Sequence, residues 1–410
     1  MSTVITKSKK VMFCLAFLGV TYNAILAVIN SLFFEVSSVL VVFAEITILG
    51  TSLAIVIGLS NLVDKDKYVI FLFLSVIFSS LLIFLNTKII FVDAIRNFLI
   101  ICVFFLIGGR LSEEYMHKLF LVVSIVVAFF LVLEISVLSA YVEIFKPAVY
   151  YQNTRGIEIM EYNQTGVFGN AEGFAERFSY GVFSGPRTSS IFLEQVSLAN
   201  FCAILGLYIL VFQPALKKGV KIFYLCLIIL ICLSNETRVG SFLVIVLFTI
   251  GLFRANVPAY SNLAVFYTTI LAVFFINSFY GEATGDNFLG RINLGVEYFL
   301  GLGITDYFGH GIFKIDKFWD SGYAYLFAAY TIFGASTFIC FTLFILKQIS
   351  TESRLCALGL SLYVYINVAV GGNSIYSIKT ATLLWLIVGY VYYRDVAIKL
   401  NEAPESSATQ

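Results

Sequence analysis

Uncharged runs of about twenty apolar residues recur along almost the whole chain, and nothing else in the sequence restricts the fold so strongly. A hydrocarbon layer about 30 Å thick is crossed by roughly 20 helical residues at 1.5 Å each. Twelve stretches meet that length, near 11–34, 37–60, 68–86, 88–108, 117–138, 189–212, 219–235, 238–254, 260–279, 322–346, 354–370 and 378–394. With 60% hydrophobic and only 12% charged residues in 410, the chain cannot clothe a soluble surface. Only Asn86, Thr87 and Lys88 separate the third and fourth stretches, which reads as a tight helical hairpin. The first follows Lys7, Lys9 and Lys10, exceeds a signal-peptide core and lacks a small-residue cleavage pattern, so it is expected to stay as an anchor. The expected architecture is all-α and polytopic, a single transmembrane domain over residues 1–400 with a short disordered tail at 401–410.

Orientation follows from the short loops, because cytoplasmic loops retain Lys and Arg. An inside N-terminus places Lys65, Lys67, Arg110, Lys118, Lys217, Lys218, Lys221, Arg254, Lys347, Arg354, Arg394 and Lys399 on the inner face. The short outer loops then hold only Lys88, Arg238 and Lys379, and twelve spans return the C-terminus to the cytoplasm. Two connections, about 139–188 and 280–321, are far longer than ordinary interhelical loops and face outward in this topology. The first is rich in Gly, Asn, Tyr and charges of both signs, the second in Gly, aromatics and aspartate, residue types that stack on sugar rings and bond their hydroxyls.

Several function classes fall away. A net charge of +1 without a basic, aromatic-interleaved stripe gives no nucleic-acid partner. The seven cysteines all lie within spans without CxxC spacing, so neither a disulfide framework nor a zinc site is indicated. Two histidines, His117 and His310, are too few for a histidine-rich centre, and no protein-held metal or cofactor is expected. Asp93 and Arg96, three apart on one helix face, read as an ion pair. Glu45 and Glu134, at membrane depth, read as neutral hydrogen-bonded carboxyls.

Arginine is the sharper signal, since its planar fork of donors stays charged and suits phosphate oxygens. Arg155, Arg177 and Arg187 lie in the first long connection, Arg291 opens the second, and Arg238 sits in a tight turn, where Glu236 is one available partner. Glu194, seven residues after Arg187, would face it two turns along if the helix extends that far. Asp320, beside Ser321, has the place of an N-cap for the following helix.

Three segments resemble the bacterial O-antigen polymerase and ligase superfamily. GPRTSSIFLEQVSLANF, residues 185–201, is similar to the family's entry into the helix after the large loop, with Arg187 and Glu194 in place. SNETRVGSF, residues 234–242, resembles its helical turn, with Thr237, Arg238 and Gly240. The second connection is similar to the family's signature of an arginine opening an amphipathic segment, a glycine turn and a polar residue before a Gly/Tyr-rich helix. Arg291, Gly309, Gly311, Asp320 and Gly322 match those places. Family ligases typically carry a histidine where this chain has Asp320, so the polymerase branch is favoured, with His310 ten residues earlier as an alternative.

The resemblance implies a GT-C-like enzyme of the bacterial inner membrane with two periplasmic loops. It would move a growing glycan from polyprenyl pyrophosphate to a hydroxyl of a lipid-linked repeat unit, needing no nucleotide sugar. Arg187, Arg238 and Arg291 would stabilise the departing pyrophosphate in place of a metal ion. Glu194, Asp320 or His310 would accept the proton. Arg155 and Arg177 would add substrate contacts, and Trp319, Tyr323 and Tyr325 would orient sugars. Implied partners are the polyprenyl-pyrophosphate-linked oligosaccharide and membrane lipids, with a chain-length regulator left open. The rival readings are an O-antigen ligase using a lipid A core or other acceptor, and a lipid-linked oligosaccharide flippase, which should show repeated halves and broken helices.

Overall fold

The computed structural model describes residues 2–60, 64–161, 163–172, 179–282, 288–318, 321–370, 372 and 374–402. Among these residues all regular structure is helical. In chain order the helices are α1 (Ser2–Leu32), α2 (Ser38–Ser60), α3 (Lys67–Thr87), α4 (Val92–Gly108), α5 (Glu113–Ser136), α6 (Leu138–Phe145), α7 (Pro147–Arg155) and α8 (Gln195–Phe212). There follow α9 (Lys218–Asn235), α10 (Arg238–Leu252), α11 (Ser261–Tyr280), α12 (Phe288–Leu300), α13 (Gly322–Phe344), α14 (Thr351–Val370) and α15 (Ile378–Glu402).

Ten of them, α1, α2, α3, α5, α8, α9, α11, α13, α14 and α15, are long and apolar enough to cross a membrane, which makes the chain a multi-pass helical membrane protein. Each of the twelve stretches anticipated from the sequence contains a helix, but α4 has 17 residues and α10 has 15. At 1.5 Å per residue they reach about 25 and about 22 Å, short of a full hydrocarbon layer. The expected tail begins with Asn401 and Glu402, the last residues of α15, and 403–410 lie outside the described residues.

The residues separate into two compact units, each discontinuous in sequence. The first comprises 1–60, 111–248 and 377–383. Its α8 is apolar on every side and almost wholly buried, packing on α9, while α1 packs on α2, α5 and α6. The first long connection is folded rather than open. Lys146, in a left-handed conformation, ends α6, and Pro147 starts α7 with the φ a first helical turn requires. Tyr150 and Tyr151 of α7 are 1% exposed because their hydroxyls reach Asn23 on α1, at 2.7 and 3.3 Å. Asn23 lies nine residues before the end of α1, about 13 Å along its axis, so the connection descends into the bundle. Beside it the Tyr22 hydroxyl donates to Glu45, which is the buried, hydrogen-bonded carboxyl expected from the sequence.

The second unit comprises 61–110, 249–376 and 384–410. Here α14 is the most buried span, whereas α11 packs on it and on α12 and is otherwise exposed. Helices α4 and α15 cross at two glycines: a Cβ on Gly389 would stand 2.0 Å from the Phe105 carbonyl oxygen, and one on Gly108 2.3 Å from that of Leu386. Helix α13 is broken at Thr331, with φ 53° and ψ 178°. Backbone groups freed inside a membrane must find partners. Ser79 of α3, fully buried, accepts the Gly334 N–H at 3.1 Å and the Thr331 hydroxyl at 3.0 Å. At the far end of the unit Asp66 binds Arg110 and the Tyr393 hydroxyl, and Glu352 binds Arg254 and Arg394. Asp93 and Arg96 form the ion pair their spacing suggests, 3.2 Å apart.

Candidate functional site

The site of greatest interest lies in the first unit, where the chain enters α8. Residues 188–195 form a compact loop whose two ends are closed by one side chain: Asn235 Nδ2 donates to the carbonyls of Thr188, at 2.6 Å, and Gln195, at 2.9 Å. The Thr237 hydroxyl donates to Asn235 Oδ1 and so fixes which way the amide points. Thr188 also bonds Ser234, through its backbone N–H at 3.2 Å and its hydroxyl at 2.8 Å. The same neck is held from the other side by residues 170–171, with Arg187 N–H on the Ala171 carbonyl and Gln195 Nε2 on that of Asn170.

The loop has an unusual backbone, with Ser190 at φ 48° and Leu193 at φ 61°, and left-handed conformations in non-glycine residues persist only where surroundings enforce them. Glu134, at the end of α5, is the main restraint. Its carboxylate accepts the Ser189 N–H, the Ser190 N–H at 2.7 Å and the Ser189 hydroxyl at 3.1 Å. Tyr141 of α6 donates to the Ser190 carbonyl at 2.7 Å, and the Tyr151 hydroxyl and Lys379 both donate to that of Phe192. Irregular backbone at membrane depth is thus satisfied from α5, α6, α7, α9 and α15.

Glu194 closes the loop as the centre of an ion cluster. It accepts from Arg155, from Lys379 at 2.8 Å and from the Ser197 hydroxyl at 2.9 Å. Burial raises its pKa, but Lys379 and Arg155 outweigh that and hold the carboxyl down at about 2. The Arg155 guanidinium is held above its ordinary range, Glu194 outweighing the burial that opposes the charge. Arg155 also lies over the Tyr151 ring, 4.5 Å from its centroid, yet 47% of its side chain remains exposed. Lys379 is 3% exposed. The arrangement is a guanidinium held on two sides with its outer edge in reach of an anion.

Of the residues singled out from the sequence, the structure brings four together here. Arg187 and Glu194 flank the loop, Arg155 binds Glu194, and Arg238, an exposed residue, starts α10 three positions after Asn235. Gly240 follows because α10 starts against α8: a Cβ there would stand 3.0 Å from that of Ala199. Glu236 accepts the Ser179 hydroxyl and the Tyr180 N–H, tying residues 179 and 180 to this turn. The two-turn relation between Arg187 and Glu194 does not hold, because α8 starts only at Gln195 and the intervening residues curl back.

In the second unit Arg291 sits half-buried on α12, which is fixed by Asn293 to the Tyr280 carbonyl and by the Ser321 hydroxyl to that of Gly295. Ser321 occupies the N-cap position of α13 but spends its hydroxyl on α12 rather than on the helix end. His310 is exposed at the start of the 3-10 helix His310–Lys317, and Tyr323 packs edge-on against Phe299. Tyr325 bonds Asn97 in a buried cluster with Tyr330. Arg177, Trp319 and Asp320 lie outside the described residues. Among the described residues no three His, Cys, Asp or Glu side chains gather as metal ligands.

Sequence reasoning passed over Asn235, Lys379 and Glu134 as site residues. Asn235 looks like an ordinary residue at a helix end, and Lys379 like a short-loop cation. Glu134 carried a usable signal, since a carboxylate at a span end needs partners. Asn235→Ala removes two buried hydrogen bonds to loop carbonyls, so a loss of about 2–3 kcal/mol is expected. A thermal melt in detergent, compared with Asn235→Asp, checks it.

Fold and site together define a multi-pass helical membrane protein with a pinned loop between spans whose Glu194 is paired with Arg155 and Lys379. No family model matches the chain, no curated protein matches it, and no solved structure matches it.

Proposed function

We propose that the chain is a membrane glycosyltransferase that polymerises polyprenyl-pyrophosphate-linked oligosaccharide units, working at the face bearing its long connections. The observation that carries this reading is the Arg155 guanidinium paired with Glu194 in the loop closed by Asn235, with Arg187 next to that loop in sequence and Arg238 at the start of α10. A pyrophosphate leaving group needs several fixed cationic donors, and such preorganised charge is the largest aid an enzyme gives to a departing anion. In the reaction the anomeric C–O bond to pyrophosphate breaks and a C–O bond to the acceptor hydroxyl forms. The hydroxyl proton passes to a base, and the pyrophosphate leaves on its lipid.

Glu194 does not suit the base. Its oxygens are engaged by two cations and a hydroxyl, and an acid of pKa about 2 takes up a proton poorly near neutrality. In this reading it is a positioning residue for Arg155, and the other bases the sequence offers, Asp320 and His310, belong to the second unit. The charge bias of the short loops supports cytoplasmic termini, and the bacterial inner membrane is what the resemblance implies.

One observation favours a second reading, transport of a lipid-linked oligosaccharide: α13 is discontinuous at Thr331, as carrier helices often are. Purified protein given a polyprenyl-pyrophosphate-linked repeat unit separates the readings. Polymerisation gives a ladder of elongated lipid-linked glycans. Transfer only to a lipid A core or other acceptor makes the enzyme a ligase, and flux across proteoliposomes without transfer makes it a carrier.

A further inference from the structure

The second long connection presents large apolar side chains at its surface: Leu300 is 65% exposed, Ile304 76%, Phe308 38% and Phe313 65%. Such residues are unexpected in a segment bathed in water. The height of the segment is fixed by two anchors within its own unit. Asn86, in the last turn of α3, donates to the Phe308 carbonyl at 2.7 Å, and a Cβ on Gly309 would stand 3.0 Å from the Ile83 Cα. Asn293 of α12 donates to the carbonyl of Tyr280, the last residue of α11.

The segment therefore runs level with the ends of two membrane-crossing helices. The exposed apolar surface of α3, with Leu81 and Leu85, continues through Ile89, Ile90 and Val92 at the same level. Lys314 and Lys317 follow Phe313 in one short helix, Lys317 exposed and Lys314 paired with Asp306 at 2.6 Å with 45% of its side chain exposed, so cationic heads stand beside an exposed apolar ring.

We propose that residues 288–317 lie in the headgroup layer of the bilayer, with Leu300, Ile304, Phe308 and Phe313 inserted among the acyl chains. The lipid surface is the partner of this segment, and it holds Arg291 at the level of the lipid phosphates. The inference is independent of the catalytic reading.

Ile304→Trp and Phe313→Trp in nanodiscs test it, each read as the emission gained over the parent, which has its own Trp319 and Trp385. The expected result is blue-shifted added emission, mostly lost when the lipids carry bromine near the headgroup and little affected by acrylamide. Emission quenched by acrylamide and indifferent to bromination would overturn the proposal. So would shielding from both quenchers with cross-linking into dimers, which would assign the patch to a second copy of the chain.

Discussion

Arg187→Ala is expected to slow elongation by about 100- to 1000-fold while the protein still folds, the range seen when one preorganised donor to a developing anion is removed. The backbone around Arg187 does not depend on its side chain: its N–H bonds the Ala171 carbonyl, and the next residue is pinned by Ser234 and Asn235. Arg187 is half-buried beside that neck. Arg187→Lys keeps the charge but loses the planar fork, and should recover only part of the rate. The rate of ladder growth measures the effect, with a thermal melt as control. An Ala variant that melts normally and elongates at the parent rate would remove Arg187 from the site.

Glu194→Leu should lower stability by about 3–5 kcal/mol, because it strands Lys379, 3% exposed, without its carboxylate. Arg155 contributes less to that loss, since its half-exposed head can turn to water. The double variant Glu194→Leu with Lys379→Met should regain most of the loss, as an apolar pair of similar bulk commonly replaces a buried ion pair without penalty. Thermal melts of the two single variants and the double variant close the cycle. The pH dependence has a definite sign. With its pKa depressed, Glu194 stabilises the fold fully above its ordinary value of 4.5 and loses that effect only as pH falls toward about 2. Between pH 5 and 8 any change in activity must come from another group. If instead the single variant melts like the parent, the cluster is not what holds the loop.

The spans were legible because each is a long run dominated by apolar residues, a signal that needs no tertiary context. Helices α4 and α10 showed as runs too, but where each helix stops depends on turns that the apolar pattern does not mark. The first connection was misjudged in character. Helices α6 and α7 have eight and nine residues, too short for a periodic signal, and their buried tyrosines read as surface aromatics until Asn23 is seen to bind them. In the second connection the amphipathic segment around Arg291 was anticipated, and α12 spans it.

The site divides in the same way. Arg187, Glu194 and Arg238 stood out because charge beside a hydrocarbon layer is conspicuous. What joins them did not. Asn235 acts through a single amide nitrogen between two carbonyls far apart in sequence from it, and Lys379 reaches Glu194 across 185 positions. Long-range pairings of this kind leave no mark in local pattern.

If the arginines around the 188–195 loop hold a pyrophosphate, binding of the leaving group is the first thing to measure. Native mass spectrometry of the purified protein with polyprenyl pyrophosphate and polyprenyl monophosphate would give both affinities. Clear preference for the pyrophosphate is expected, lost in Arg187→Ala and Arg238→Ala and weakened in Arg155→Ala. Equal affinity for the two lipids, unchanged in all three variants, would contradict it.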